Sequence, residues 1–331
     1  MQLGRRGFAG ALGLLPLALV PGLIPPAAAH GDFDDWLRQL RAEARARGIR
    51  ATTLERALAG LAPVPRIIEL DRRQPEGRLT FAEYRHRVVS SERIRRGSSL
   101  RQRHRRLLAA TRERYGVPDR VLVALWGIES SFGAFKGRFN VIAALATLAF
   151  EGRRAAFFRK ELLSALEILD QGHIAVEDMY GSWAGAMGQP QFMPSTFLAH
   201  AVDADGDGRR DIWNSLPDIF ASMANYLRRS GWDRRYIWGR EVRLTRAVGK
   251  ARIGLGHKAS LARWSRRGVR RMDGRPLPDV ALDASLLLPD GPGGPAFLVY
   301  DNYRVLLRWN RSQYFALSVG LLADAIRQRS A

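Results

Sequence analysis

The sequence predicts a mainly α protein of the α+β kind: a helical core behind a helical N-terminal region, with a small strand-rich insertion near the C-terminus. Three observations predict it. Apolar residues recur at helical spacing through most of residues 32–230. Proline, glycine and small polar residues punctuate that pattern where helices begin and end. After Gly231 prolines, glycines and short alternating runs take over, such as Val242-Arg-Leu-Thr245 and Val280-Ala-Leu282. A length of 331 residues allows two or three domains. The expected divisions are an export segment at 1–29, a helical domain at 30–116, a core at 117–230, the insertion at 231–298 and a return to the core at 299–331.

Residues 1–29 read as a targeting segment. Arg5-Arg6-Gly7-Phe8 precedes the apolar run from Ala9 to Leu19, and Ala27-Ala28-Ala29 offers a small-residue cleavage site. The paired arginines suit a twin-arginine signal, and an ordinary secretory signal stays open beside it. No later run of twenty apolar residues suggests a transmembrane span. Cysteine is absent, so neither a disulfide framework nor a lipid-acceptor cysteine is expected. The expectation is an exported, soluble, periplasmic protein.

From Asp32 to about Gly48 the spacing of Trp36, Leu37, Leu40 and Ala44 predicts an amphipathic helix. A second helix is expected from Thr52 or Thr53 to Gly60, then a crossing segment from Arg66 to Gln74 and a turn at Pro75-Glu76-Gly77. Phe81 to Val89 and Leu100 to Tyr115 read as two more helices. The basic run Ser99 to Arg106 reads as a solvated helix face.

Val121-Leu-Val-Ala-Leu-Trp-Gly-Ile-Glu-Ser-Ser-Phe-Gly133 is the stretch around which the chain is organised. Pro118 and Asp119 open a helix that is apolar all round, hence buried. Gly127 and Gly133 permit close backbone approach and a turn. Glu129 sits at the C-terminal end of this helix. Burial and the negative end of the helix dipole both disfavour its charge and raise its pKa, as a general acid near neutral pH requires. A buried glutamate neutralised by an arginine remains open from the residues alone.

Ala144 to Phe150 and Arg154 to Leu169 follow as helices, the second with Phe157, Phe158, Leu162, Leu163, Leu166 and Leu169 inward. Tyr180 to Pro194 is rich in small residues that let a polymer approach the backbone. Its Gln189 and Gln191 offer amides to hydroxyl and acetamido groups, so it reads as a cleft wall. Asp203, Asp205 and Asp207 alternate and Gly208 follows, like the opening of an EF-hand calcium loop to which Arg209 lends its carbonyl. Asn214 stands where the bidentate glutamate is usual. Pro217 to Arg228 forms the next helix, and Ser318 to Arg327 a closing one.

The net charge is +21, with only four lysines, and such a field favours anionic partners. Nucleic acid and an anionic cell-wall polymer both fit, and arginine-biased composition accounts for part of it. No recognised nucleic-acid motif is present.

Three blocks in order carry a resemblance. They are Trp126-Gly-Ile-Glu-Ser-Ser-Phe-Gly133 with Ala144-Leu-Ala-Thr-Leu-Ala-Phe150, Ala184-Gly-Ala-Met-Gly-Gln-Pro-Gln-Phe-Met-Pro-Ser195, and Asp203-Ala-Asp-Gly-Asp-Gly-Arg-Arg-Asp-Ile-Trp-Asn214 running into Ala224-Asn-Tyr226. Together they resemble the B-type membrane-bound lytic murein transglycosylases, lysozyme-like enzymes of peptidoglycan. The resemblance implies a lysozyme-like core with Glu129 as sole acid and base. It implies cleavage between N-acetylmuramic acid and N-acetylglucosamine with 1,6-anhydro ends and no catalytic cofactor. Arg153, Arg154, Ser182, Gln191, Tyr226, Asn310 and Tyr314 are the implied glycan contacts; Phe315 replaces a tyrosine of some relatives. A structural calcium ion is implied at Asp203, Asp205, Asp207 and Arg209, closed by Asp218. A monomer acting on glycan strands, with other cell-wall enzymes as further partners, is expected. A hydrolytic muramidase and a non-catalytic peptidoglycan-binding protein are the alternatives.

Overall fold

The computed structural model describes residues 33–73 and 79–328, the side chains of 327 and 328 excepted. The expected export segment and the turn at Pro75-Glu76-Gly77 lie outside the described residues.

Helix α1 (Phe33–Ala46) buries Leu37, Leu40 and Ala44 and stops at Gly48, whose φ of 87° suits glycine. Helix α2 (Ala51–Ala57) follows. The expected crossing segment is itself a helix, α3 (Pro65–Arg72), started by proline in its first turn. Thr80 and Glu83 form a capping box on α4 (Phe81–Val88). The single helix expected from Leu100 to Tyr115 is instead two, α5 (Ser91–Arg103) and α6 (Arg105–Tyr115), meeting at His104. Ser90 caps α5 well upstream of Leu100. The apolar signal there is thin because α5 packs through Gly97, where a Cβ would lie 2.7 Å from Ile326.

The core contains α7 (Asp119–Ser130), α8 (Val141–Glu151), α9 (Ala155–Asp170), α10 (Pro194–His200) and α11 (Leu216–Arg229). A two-residue antiparallel pair, β1 (Phe139–Asn140) with β2 (Tyr180–Gly181), ties the loop before α8 to the loop after α9. Phe157 is exposed rather than inward; the other expected apolar positions of α9 are buried. The insertion holds β3 (Gly239–Leu244), β4 (Ala259–Ser260), α12 (Leu261–Arg266), β5 (Val269–Arg271), β6 (Asp283–Leu287) and β7 (Ala296–Val299). The sheet is antiparallel in the order β4-β6-β7-β3-β5. The run Val280-Ala-Leu282 precedes β6 rather than forming a strand. Helices α13 (Asp301–Trp309) and α14 (Gln313–Gln328) complete the fold.

Three apolar clusters organise these elements. The first joins α6, α7, α11, α13 and α14. The second joins α1 and α2 to α8, α9 and the loop before α10. The stretch expected as one N-terminal domain thus divides its buried residues between two clusters. The third lies within the insertion. Strand β7 alternates between two of them: Ala296 and Leu298 face the third, Phe297 and Val299 the first. Tyr226 and Trp309 pack against both the first cluster and the second, and so mark the seam between them.

Candidate active site

Helix α7 carries Glu129 to that seam. Val121 to Gly127 are all buried, so the helix is held on every side. Past Ser130 the chain reverses sharply, with Ser131, Phe132 and Gly133 at φ of 49°, 59° and 79°. Two non-glycine residues in the left-handed region are strained, and local bonds hold them there. Phe132 N–H donates to Trp126 O at 3.1 Å, and Gly133 N–H to Ser130 Oγ at 3.1 Å. Phe132 folds back against Gly127, where a Cβ would lie 2.7 Å from its ring.

The Glu129 carboxyl has one hydrogen-bond partner among the described residues: Trp309 Nε1 donates to Oε1 at 2.7 Å. Burial pushes its pKa up to about 7, and the Trp309 bond pulls the other way. The arginine ion pair left open by the sequence is not formed among the described residues. Tyr84 is close enough that burial and then the charge of Glu129 push its hydroxyl up to about 12. Around the acid Phe192, Tyr226 and Trp309 make an aromatic cluster, with Trp309 centred 4.9 Å from Tyr226 and 5.2 Å from Phe192.

The expected contact residues fall into distinct settings. Tyr226 lies at the seam and its hydroxyl donates to Arg308 O at 2.7 Å. Gln191, at φ 54°, donates through Nε2 to Gly188 O at 2.8 Å and Lys136 O at 3.2 Å. Ser182 Oγ accepts from Ala186 N–H at 3.0 Å, and so shapes the small-residue turn. Asn310 ends α13, and its Oδ1 accepts from Ser312 N–H at 3.0 Å. Tyr314 packs edge-on to Phe81 and leans on Tyr84, which brings it to the side of Glu129 that Tyr84 lines. Phe315 is buried in the first cluster. Arg153 and Arg154 converge on buried Asp71 of α3 at 3.7 and 3.9 Å, and Arg154 also covers Phe158.

Gln189 departs from expectation. It is buried and its amide is consumed by protein: Trp126 Nε1 donates to its Oε1 at 2.6 Å, and its Nε2 donates to Trp213 O at 2.8 Å. It is a strut between helix α7 and the acidic loop. Two residues of the site, Trp309 and Tyr84, were missed. Trp309 immediately precedes Asn310, one of the expected contacts; no local pattern points to Tyr84.

In the acidic loop, oxygens of Asp203, Asp205 and Asp218 come within 4.8 Å of one another. Asp218 is fully buried, and accepts from Ala204 and Asp211 N–H groups at 2.7 Å. Burial, with the charge of Asp205 behind it, raises its pKa. Asp207 is not in this group: its carboxylate turns to Arg209, accepting from N–H at 2.8 Å and Nη2 at 3.2 Å. A two-residue spacing lets it close its own turn instead.

A family model described as the transglycosylase SLT domain matches residues 32–324. Membrane-bound lytic murein transglycosylase B of Escherichia coli is 30% identical over 250 residues, 74% of this chain and 67% of that protein. The structure of SltB3 from Pseudomonas aeruginosa in complex with NAG-anhNAM-pentapeptide is similar, with a TM-score of 0.87 and 45% identity over 90% of this chain and 80% of that one. The Escherichia coli lytic transglycosylase Slt35 in complex with calcium gives 0.75 and 27%, over 89% and 93% of the two chains. With a family match spanning nearly the whole described chain, and a lone acid at the seam of its two main cores, this chain belongs to the SLT-domain transglycosylases.

Proposed function

We propose that the chain is an exported lytic transglycosylase of peptidoglycan in which Glu129 is both proton donor and proton acceptor. One observation carries the assignment of Glu129: half-buried at the end of an apolar helix, it has Trp309 as its one hydrogen-bond partner among the described residues, and burial pushes its carboxyl up to about 7. Most glycosidases work with two carboxylates about the scissile bond. A lone acid suffices when the substrate brings its own nucleophile.

Glu129, protonated, gives its proton to the glycosidic oxygen between N-acetylmuramic acid and N-acetylglucosamine. The C1–O bond breaks and the N-acetylglucosamine side leaves as an alcohol. The 2-acetamido carbonyl oxygen stabilises the cation at C1. Glu129, now a carboxylate, takes the proton of the muramic 6-hydroxyl, whose oxygen closes on C1. The acid is restored, no water is consumed, and a 1,6-anhydro end results. The Trp309 N–H steadies the carboxylate stage, since a hydrogen bond to the charged form favours it. Tyr226, Gln191, Ser182, Asn310 and Tyr314 line the glycan path, and Arg153 and Arg154 meet the sugars or their acidic substituents from the Asp71 side.

Asp203, Asp205 and Asp218 fit a hard divalent cation, their carboxylate oxygens being the donors calcium prefers. A bound calcium would neutralise their mutual repulsion and brace the loop whose Trp213 carbonyl meets Gln189. Digestion of purified sacculi followed by mass spectrometry tests the reaction. Anhydro ends, one water lighter than reducing ends, support it; reducing ends identify a hydrolase instead, and intact sacculi a binding protein.

A further inference from the structure

Residues 242–272 contain eight arginines, two lysines and no aspartate or glutamate. Among the described residues only Lys258 and Arg271 of these ten form an ion pair, with Asp301 and Asp273. The fold gathers much of the remainder. Half-buried Arg267 lies at the end of α12, its guanidinium 5.2 Å from the Trp264 ring centre and its Nη1 3.2 Å from His257 Nε2. Around it Arg252, Arg263 and Arg266 are exposed or half-exposed, and burial followed by their three charges holds its guanidinium below the ordinary arginine value. Arg246 is exposed too, and donates to the Arg266 carbonyl, which ties the end of β3 and α12 into the same face.

Like charges so gathered repel one another, and an anionic partner relieves the repulsion. Guanidinium groups pair with carboxylates in a two-pronged geometry. Met272 is the one exposed large apolar side chain among residues 242–272, and a single such side chain falls short of the apolar face a lipid-interface site needs. None of the arginines of this face contacts Glu129, Trp309 or Tyr226 in a hydrogen bond or ion pair among the described residues; Glu129 pairs with Trp309 and Tyr226 with the Arg308 carbonyl.

We infer that this arginine face of the insertion, built from Arg246, Arg252, Arg263, Arg266 and Arg267, binds the peptide-stem carboxylates of peptidoglycan as a second hold on the polymer, separate from the cleft. The inference rests on the substrate proposed above. Held there, the enzyme stays on the wall between cleavage events.

The test uses the full chain carrying Glu129→Gln, so that the polymer stays intact, with and without Arg252→Gln, Arg263→Gln and Arg266→Gln together. Co-sedimentation with purified sacculi is expected to weaken about tenfold or more when the three charges are removed, and to lose most of its salt dependence. Sacculi whose carboxyls are amidated and whose amines are acetylated are expected to bind both proteins equally weakly. With Glu129 intact, the three-arginine variant is expected to cleave short soluble glycan oligomers at the parent rate. Equal sedimentation of the two proteins on native sacculi overturns the inference. So does undiminished binding of the parent to the neutralised polymer, or binding to phosphatidylglycerol vesicles in preference to sacculi. Failure of the parent to cleave the oligomers overturns the proposed reaction instead, and the binding arms remain readable.

Discussion

Two carboxyls in this molecule are raised in pKa, both first by burial, but in different company. At the seam, Glu129 is alone, and loss of water drives the shift against a single indole hydrogen bond. In the acidic loop, Asp218 is raised by burial but also by a like charge on Asp205, while backbone N–H groups oppose the shift. An isolated acid relieves its discomfort by holding a proton, which it can then lend. Clustered acids relieve theirs by sharing a proton or by binding a cation. An acid alone among apolar walls suits proton transfer, whereas three carboxylates whose oxygens come within 4.8 Å of one another suit a cation.

The most severe change strikes the seam site directly. Glu129→Gln keeps the shape and removes the transferable proton, so turnover of sacculi is expected to fall by about a thousandfold or more while the circular dichroism spectrum is unchanged. Wild-type rates in that variant would remove Glu129 from the chemistry. The same substitution has a signed effect on stability. Folded Glu129 is raised to about 7 from an ordinary 4.5, so the unfolded chain ionises first as pH rises. Its contribution is fully present below 4.5 and is lost as pH rises through about 7. Glu129→Gln is therefore expected to match the parent in chemical denaturation near pH 4 and to exceed it near pH 8 by on the order of 2 kcal/mol. Equal stability at both pH values would mean that Glu129 is well solvated.

A milder substitution tests the lone carboxyl more finely. Trp309→Phe keeps the aromatic wall and removes the hydrogen bond that lowers the Glu129 pKa. The alkaline limb of the rate profile is expected to move up by about half a unit to one unit, with a loss of maximum rate as the carboxylate stage loses its donor. An unmoved limb would show that Trp309 only packs. The acidic loop should respond least. Calcium is expected to raise the parent's melting temperature by a few degrees and to leave Asp218→Asn unmoved, as binding to the folded state alone requires. A parent indifferent to millimolar calcium would leave the loop a self-capped turn.

Helix α7 was legible because apolar residues on every side mark a buried helix, and Glu129 is the one acid in it beyond the first turn. The EF-hand-like spacing likewise announced Asp203 and Asp205. What escaped depended on partners distant in the chain. Trp309 meets Glu129 across 180 residues, and Tyr84 reaches it from the N-terminal helices. Gln189 looked like a sugar-binding amide because type and neighbourhood are visible in sequence, whereas the two partners that occupy it, Trp126 and Trp213, are not. Asp207 shared the alternating pattern but turned to Arg209, a choice made by local backbone geometry. The break at His104 was hidden because α5 packs through a glycine, which leaves no apolar stripe to count.

Strand β7 presents Phe297 and Val299 to one cluster and Ala296 and Leu298 to another. Neither cluster is closed without it, so the insertion is no detachable accessory. Trimming residues 231–298 would strip the enzyme's main core of a wall, and heating should melt the two regions in a single calorimetric transition. A chain built this way inherits its second layer as a condition of folding, and any variation selected there is constrained first to keep that strand in place.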